Sequence, residues 1–366
     1  MFSILAALIT LGGFVNAQGY VSMPFTKESV DLSESAPLQK RVISGDVMNQ
    51  ITTYTVGFTL GNGQKQWGVL DTTSSEIWVY SSQTPARFSY NPSEAQSVCD
   101  NFNLVFRDGT KAQGAVYKDK LTYQDVSLDA TFGVSNTYDG NTPFGTFGIG
   151  PRAEKQSTEG DAESSFPYAL KKAGQIETAS YSLKMSKRGS EDGLITFGAL
   201  DRKSYVGKLQ LMDNLAEDVF KVNFSIDGTS LVGEIHSGST DTYLPDDIVS
   251  RLAASVGGRW DEVSKTYLVD KWTDYLLLYL NFSDTYIAIP APYLLKPINQ
   301  SRSAYSLTVK PISQSNGKII LGENFLRAAL TVYDLERNQI AIAQATGSDS
   351  PYYQTITSAG IPGASY

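Results

Sequence analysis

Two short stretches of this 366-residue chain have the composition of loops that present an acid–base group. The first, Asp71-Thr72-Thr73-Ser74-Ser75, follows the apolar run Gly68-Val-Leu70. The second, His236-Ser237-Gly238-Ser239-Thr240, follows Gly233-Glu-Ile235. A strand that ends in an ionisable side chain and continues into small or hydroxyl residues leaves backbone N–H groups beside that side chain. The stretches align at a constant separation of 165 positions, setting Leu70 against Ile235, Asp71 against His236 and Thr72 against Ser237. Ser75 then meets Thr240, Glu76 meets Asp241 and Trp78 meets Tyr243. A carboxylate and an imidazole brought face to face could transfer protons to and from a substrate.

The scarcity of other reactive side chains narrows the chemistry. The chain has one histidine, His236, and one cysteine, Cys99. That excludes Cys/His zinc clusters, iron–sulfur sites and an intramolecular disulfide framework, so no metal and no cofactor is expected. Any Ser–His or Cys–His catalyst would have to pass through His236, and no Gly-x-Ser-x-Gly elbow accompanies it. With 30 basic against 38 acidic residues the net charge is −8, which argues against nucleic acid or an anionic membrane as partner. A hydrophobic content of 41% is enough to bury a large core, in two domains or one double lobe.

The elements that must position these loops are mostly strands. Thr53–Leu60 is β-rich, Gly61-Asn62-Gly63 is a turn signal, and Trp67–Leu70 runs back. A second hairpin is predicted from Leu330–Asp334 through Glu336-Arg337-Asn338 to Ile340–Ala343. Helix signals are few: Pro245-Asp-Asp247 leads into an apolar-periodic run ended by Gly257, and Phe166–Ala173 ends at Gly174. Each aligned loop is followed much later by an apolar segment with glycine, Thr146-Phe-Gly-Ile149 and Ile320-Leu-Gly322. A single long-period duplication of this kind predicts two similar β lobes facing each other.

At this point the chain resembles the pepsin-like aspartic proteases, and most closely their secreted fungal members. The resemblance runs through 42–346 and rests on four motifs in order. They are Asp71–Val79, a flap segment Phe106-Arg107-Asp108-Gly109-Thr110, the His236–Thr240 loop, and Ile320-Leu-Gly-Glu-Asn-Phe-Leu-Arg327. It implies an all-β, bilobal fold with pseudo-twofold-related lobes and a few short helices. It also implies an interlobe cleft that takes a peptide or protein, with Asp71 and His236 at the two catalytic positions. Thr72, Thr73, Ser237, Gly238 and Thr240 would support the loops, and Phe106, Asp108, Gly109, Trp78 and Tyr243 would line flap and cleft.

Three departures from the family pattern carry the functional expectation. His236 stands where the second aspartate is usual, Thr73 where a glycine is, and Phe106 where the flap has tyrosine. Two carboxylates can share one proton and hold a water between them; a carboxylate and an imidazole of pKa ~6.5 form an ion pair in mild acid instead. The expectation is a catalytically impaired, non-proteolytic homologue that binds in its cleft. The alternative is an active endopeptidase with Asp71 as base and His236 as acid.

Residues 1–17 read as a secretory signal, and 18–41 as a pro-segment ending at the dibasic Lys40-Arg41. An N-terminal lobe over 42–180, a C-terminal lobe over 181–346 and a polar tail over 347–366 complete the expected organisation. Sequons at Asn223, Asn281 and Asn299 suit an exported glycoprotein. No spanning segment or lipid-anchor tail is read, so a secreted monomer is expected, with Cys99 an unpaired, buried thiol.

Overall fold

The computed structural model describes residues 19–31, 50–105, 111–123, 126–138, 143–151, 165–185, 192–298, 304–347 and 350–366. The expected signal, the Lys40-Arg41 pair, Phe106, Asp108, Gly109 and Asn299 lie outside the described residues.

The architecture is that of a β protein with short helices. The first predicted hairpin forms from Gln50–Leu60 and Gln64–Asp71, in register from Leu60–Gln64 to Thr55–Val69. Its turn uses Gly61 and Gly63 at φ 53° and 83°, a backbone region that favours glycine. Gln66, Gly68 and Leu70 alternate into the interior of this hairpin, a period of two that sets one face against the core. The second hairpin pairs Ala329–Asp334 with Gln339–Ala345. Its turn is held by Asp334, whose Oδ1 accepts from the N–H groups of Glu336 and Arg337. Both predicted helices are present, as Phe166–Lys172 and Asp246–Ala254. Two shorter ones, Ala291–Leu294 and Glu323–Ala328, carry no clear periodic signal in the sequence.

One long sheet runs through the molecule, and a seven-stranded sheet carries much of the C-terminal lobe. Two segments near the ends of the described chain are part of the sheets. The strand Val21–Asp31, inside the expected pro-segment, pairs with Gln50–Thr55 on one side and Asp192–Phe197 on the other. It buries Val21, Met23 and Phe25 in the main core, and Gly193 makes room for the Phe25 ring. Residues 347–366, expected as a polar tail, are also built into the fold. Tyr353–Thr355 pairs with Ala199–Asp201, and Ala364–Ser365 lies parallel to Tyr205–Asp213. Ile356 and Ile361 are buried against Leu200, Tyr205, Leu209, Leu330 and Val332, which closes one face of the sheet. The tail is polar on average and apolar at the two positions that decide its docking.

Candidate active site

Each loop is set by the same three-strand arrangement. Gln64–Asp71 lies parallel to Gly145–Gly148, from Gly68–Gly145 to Asp71–Gly148, and Gly145–Gly148 pairs antiparallel with Ile77–Ser81. The chain therefore leaves its strand at Asp71 and re-enters on the far side of the same neighbour. In the second lobe Thr229–Ile235 lies parallel to Ile320–Leu321, with Thr242–Leu244 on the other side. The late glycines are steric requirements. A Cβ on Gly148 would stand 2.4 Å from the Glu76 carbonyl oxygen, and one on Gly322 would stand 2.2 Å from that of Asp241. Neither carbonyl can move aside without displacing its loop.

The loops meet through buried hydroxyls. The Thr72 N–H donates to Ser237 Oγ at 3.1 Å, and the Ser237 N–H donates to Thr72 Oγ1 at 3.0 Å. Each hydroxyl then donates to the carbonyl before the opposite loop: Thr72 Oγ1 to Ile235 O at 3.3 Å, and Ser237 Oγ to Leu70 O at 2.9 Å. Four hydrogen bonds related by exchange of the lobes satisfy every donor in the contact. They fix positions 71 and 236 opposite each other.

Asp71 and His236 face each other across this contact, with Nε2 3.5 Å from Oδ1 and both side chains 17% exposed. Asp71 is heavily engaged from its own loop. Its Oδ1 accepts from the Thr73 N–H and from Thr73 Oγ1, both at 2.8 Å, and its Oδ2 accepts from Ser74 Oγ at 2.6 Å. Thr73 Oγ1 also lies 3.4 Å from His236 Nε2. The threonine hydroxyl thus lies within reach of both the carboxylate and the imidazole, beside their 3.5 Å contact. On the opposite loop Gly238 gives the ring its room, since a Cβ there would lie 2.8 Å from Nε2.

The surroundings of the pair are buried and partly charged. Behind the imidazole, Glu234 Oε1 lies 3.9 Å from Nδ1 with its side chain only 3% exposed. Tyr181, fully buried, has its phenol pushed well above the ordinary range by burial, then by the Tyr333 phenol and the Asp71 charge, so it stays neutral. On the second loop Asp241 pairs with Lys310 at 2.7 Å. Burial alone would lower the Lys310 ammonium, but the Asp241 charge and hydrogen bond outweigh it and hold it above its usual value.

The structure thus brings Asp71, Thr72, Thr73, His236, Ser237 and Gly238 together. It leaves Thr240 apart: that side chain is exposed and lies 3.5 Å from Asp241, while its repeat partner Ser75 is buried. Trp78 packs in a satellite cluster with Tyr80, Phe102 and Val116, against which Cys99 lies as a free, half-buried thiol. Tyr243 is half-buried beside the Asp241–Lys310 pair. Asn223 is exposed and Asn281 half-buried on the neighbouring strands Lys221–Ile226 and Leu277–Phe282. The sequence reading missed Ser74 as an Asp71 ligand and Glu234 behind His236. The repeat sets Glu234 against the apolar Val69, which does not by itself mark it as buried.

Comparison with known proteins shows the family and the fold. The chain is 29% identical over 347 residues to Secreted aspartic protease 8 of Candida albicans, covering 87% of this chain and 83% of that one. It is 28% identical to Aspartic proteinase yapsin-3 of Saccharomyces cerevisiae, covering 94% and 76%. It is likewise 28% identical to the Acid extracellular protease of Yarrowia lipolytica, covering 96% and 98%. The crystal structure of an aspartic proteinase from Irpex lacteus shares the fold, with a TM-score of 0.68 at 20% identity over 90% of this chain and 99% of that one. The sequence profile described as eukaryotic aspartyl protease matches residues 53–345, from the first hairpin to the end of the second. The chain belongs to the eukaryotic aspartyl protease family.

Proposed function

We propose that this chain is a secreted, non-proteolytic member of its family that holds a peptide or protein segment in the cleft between its lobes. The observation that carries the reading is the Thr73 hydroxyl, 2.8 Å from Asp71 Oδ1 and 3.4 Å from His236 Nε2. Hydrolysis of a peptide bond by an acid–base pair needs a water in contact with the base and a second group to polarise the carbonyl. Here the carboxylate already accepts three hydrogen bonds from its own loop, one of them from a hydroxyl that also reaches the imidazole and would compete with such a water. A general acid or base contributes about 10²–10⁴-fold to rate, so a carboxylate that cannot activate a water lowers the rate by about that factor. Both lobes and the hydroxyl contact between their loops are present, which favours retained binding. Secretion is supported by the leader-like residues 1–17 and by relatives named as secreted or extracellular.

The test is retention without cutting. A mixture of synthetic peptides of known sequence is incubated with the full chain at pH 4–6, and the complex is isolated by gel filtration and analysed by mass spectrometry. Intact peptides retained with the protein are the expected result. Retention of no peptide, or peptides recovered only with new termini, would overturn the proposal.

A further inference from the structure

The outer face of the seven-stranded sheet carries an apolar patch in which a sequon is embedded. Along Lys221–Ile226, Val222, Phe224 and Ile226 point into the core, so Lys221, Asn223 and Ser225 point outward. The same alternation turns Leu277, Tyr279 and Asn281 outward on Leu277–Phe282, and Tyr286 outward on Thr285–Pro290. Register joins the strands into one face: Asn223 opposes Val232, Ser225 opposes Asn281, and Asn281 opposes Tyr286. Val232, Leu277, Tyr279 and Tyr286 are all exposed, the two tyrosines by 53% and 62%. Large apolar side chains scattered singly are ordinary on a surface; several sharing one sheet face mark a place that something covers.

Two sequons open onto this face, and the fold treats them differently. In Asn223-Phe-Ser225 the asparagine is exposed and stands directly opposite Val232, where Cβ atoms lie about 4.5–5.5 Å apart. Tyr286 is two strands over from Ser225, about 10 Å across the sheet, and so within the span of the first two sugars of a glycan on Asn223. The C–H face of a pyranose ring packs well on an aromatic face, whose π cloud is negative. Asn281-Phe-Ser283, by contrast, has its asparagine wedged between Ser225 and Tyr286, half-buried, with Oδ1 enclosed. That amide is turned into the row, and a glycan on it would have to push a cross-strand neighbour aside.

We propose that Asn223 is an N-glycosylation site whose glycan covers the Val232 and Tyr286 side of this sheet face, while Asn281 stays bare. In the transfer, Asn223 Nδ2 displaces a lipid diphosphate from the anomeric carbon of a polyprenyl diphosphate-linked oligosaccharide. The N–C bond forms, the C–O bond to phosphate breaks, and the amide gives up one proton. Ser225 supplies the hydroxyl that the sequon requires two positions after the asparagine. The donor is met during export, so the assignment rests on the secretory part of the proposed function and not on the chemistry of the cleft.

The full chain is produced in a secreting eukaryotic host, once with its own residues 1–17 and once with a foreign secretory leader in their place. Peptide N-glycosidase treatment in ¹⁸O-water converts each glycosylated asparagine to a labelled aspartate, located by mass spectrometry. The expected result is a label on Asn223 and none on Asn281. Nitration of the folded protein by tetranitromethane then reads the cover, with the exposed Tyr352, outside this sheet, as reference. Relative to Tyr352, Tyr286 should react about threefold or more slowly in the glycosylated parent than in Asn223→Gln, because the glycan is bulky. Should Asn223→Gln fail to fold, Ser225→Ala or endoglycosidase trimming of the folded parent supplies the bare comparison. An unlabelled Asn223, a labelled Asn281, or equal nitration of Tyr286 with and without the glycan overturns the proposal. Label on Asn223 with the foreign leader alone refutes secretion by residues 1–17 and leaves the site standing. A chain recovered from the medium with either leader and bare at Asn223 does the reverse.

Discussion

At position 73 a threonine hydroxyl bonds the carboxylate and reaches the imidazole opposite. Removing it alone clears that side of the carboxylate but leaves the imidazole 3.5 Å from Asp71. Restoring chemistry therefore requires both changes, Thr73→Gly and His236→Asp. The double variant should cleave an unfolded protein in mild acid at least about 10²-fold faster than the parent, with each single variant far below it. Peptide-release kinetics check this, and a double variant no better than the parent would place the block elsewhere. The facing of Asp71 and His236 was legible because both occupy the same step of the repeat. Glu234 was not, because one carboxylate in a strand reads as ordinary outward alternation until the fold shows that face buried. Thr240 failed for the converse reason: its repeat partner Ser75 is buried, but local packing, which the repeat does not encode, leaves Thr240 in solvent.

At the scale of elements, the reciprocal contact of Thr72 and Ser237 couples the two loops. Thr72→Val keeps the shape of the side chain and deletes the acceptor for the Ser237 N–H. A buried donor left without a partner costs about 1–3 kcal/mol, and the urea midpoint should fall accordingly with an unchanged slope. Little or no change would mean that the lobes hold the loops in place without this contact. The hairpins were readable from turn glycines and alternating apolar residues. The short strands Gly145–Gly148 and Ile320–Leu321 were visible only as a recurring apolar segment with glycine. Their insertion between the two arms of each loop is a long-range pairing, and no local signal specifies it.

For the whole molecule, the ends of the described chain are structural parts. Val21–Asp31 bridges strands of the long sheet, and residues 353–365 cover an apolar cluster. Hydrogen-bonding polar residues surround Ile356 and Ile361, which is why composition alone reads the segment as a tail. Cutting the chain after residue 346 exposes the surface under those two isoleucines, each worth about 1.5–3 kcal/mol when fully buried. The truncated protein should lose stability by a few kcal/mol in denaturant titration; an unchanged midpoint would show the docking to be incidental. The two-lobed β architecture itself was legible from the repeat, since one duplication at long period leaves few other ways to bury two equivalent faces.

The central claim, a family cleft that does not cut, meets its most direct test in the cleavage of an unfolded protein from pH 3 to 7. Parent chain and Asp71→Asn are compared side by side. The predicted result is no new peptide termini from the parent above the level of Asp71→Asn at any pH. Cleavage by the parent that Asp71→Asn abolishes would contradict it, and would assign Asp71 and His236 as a working acid–base pair.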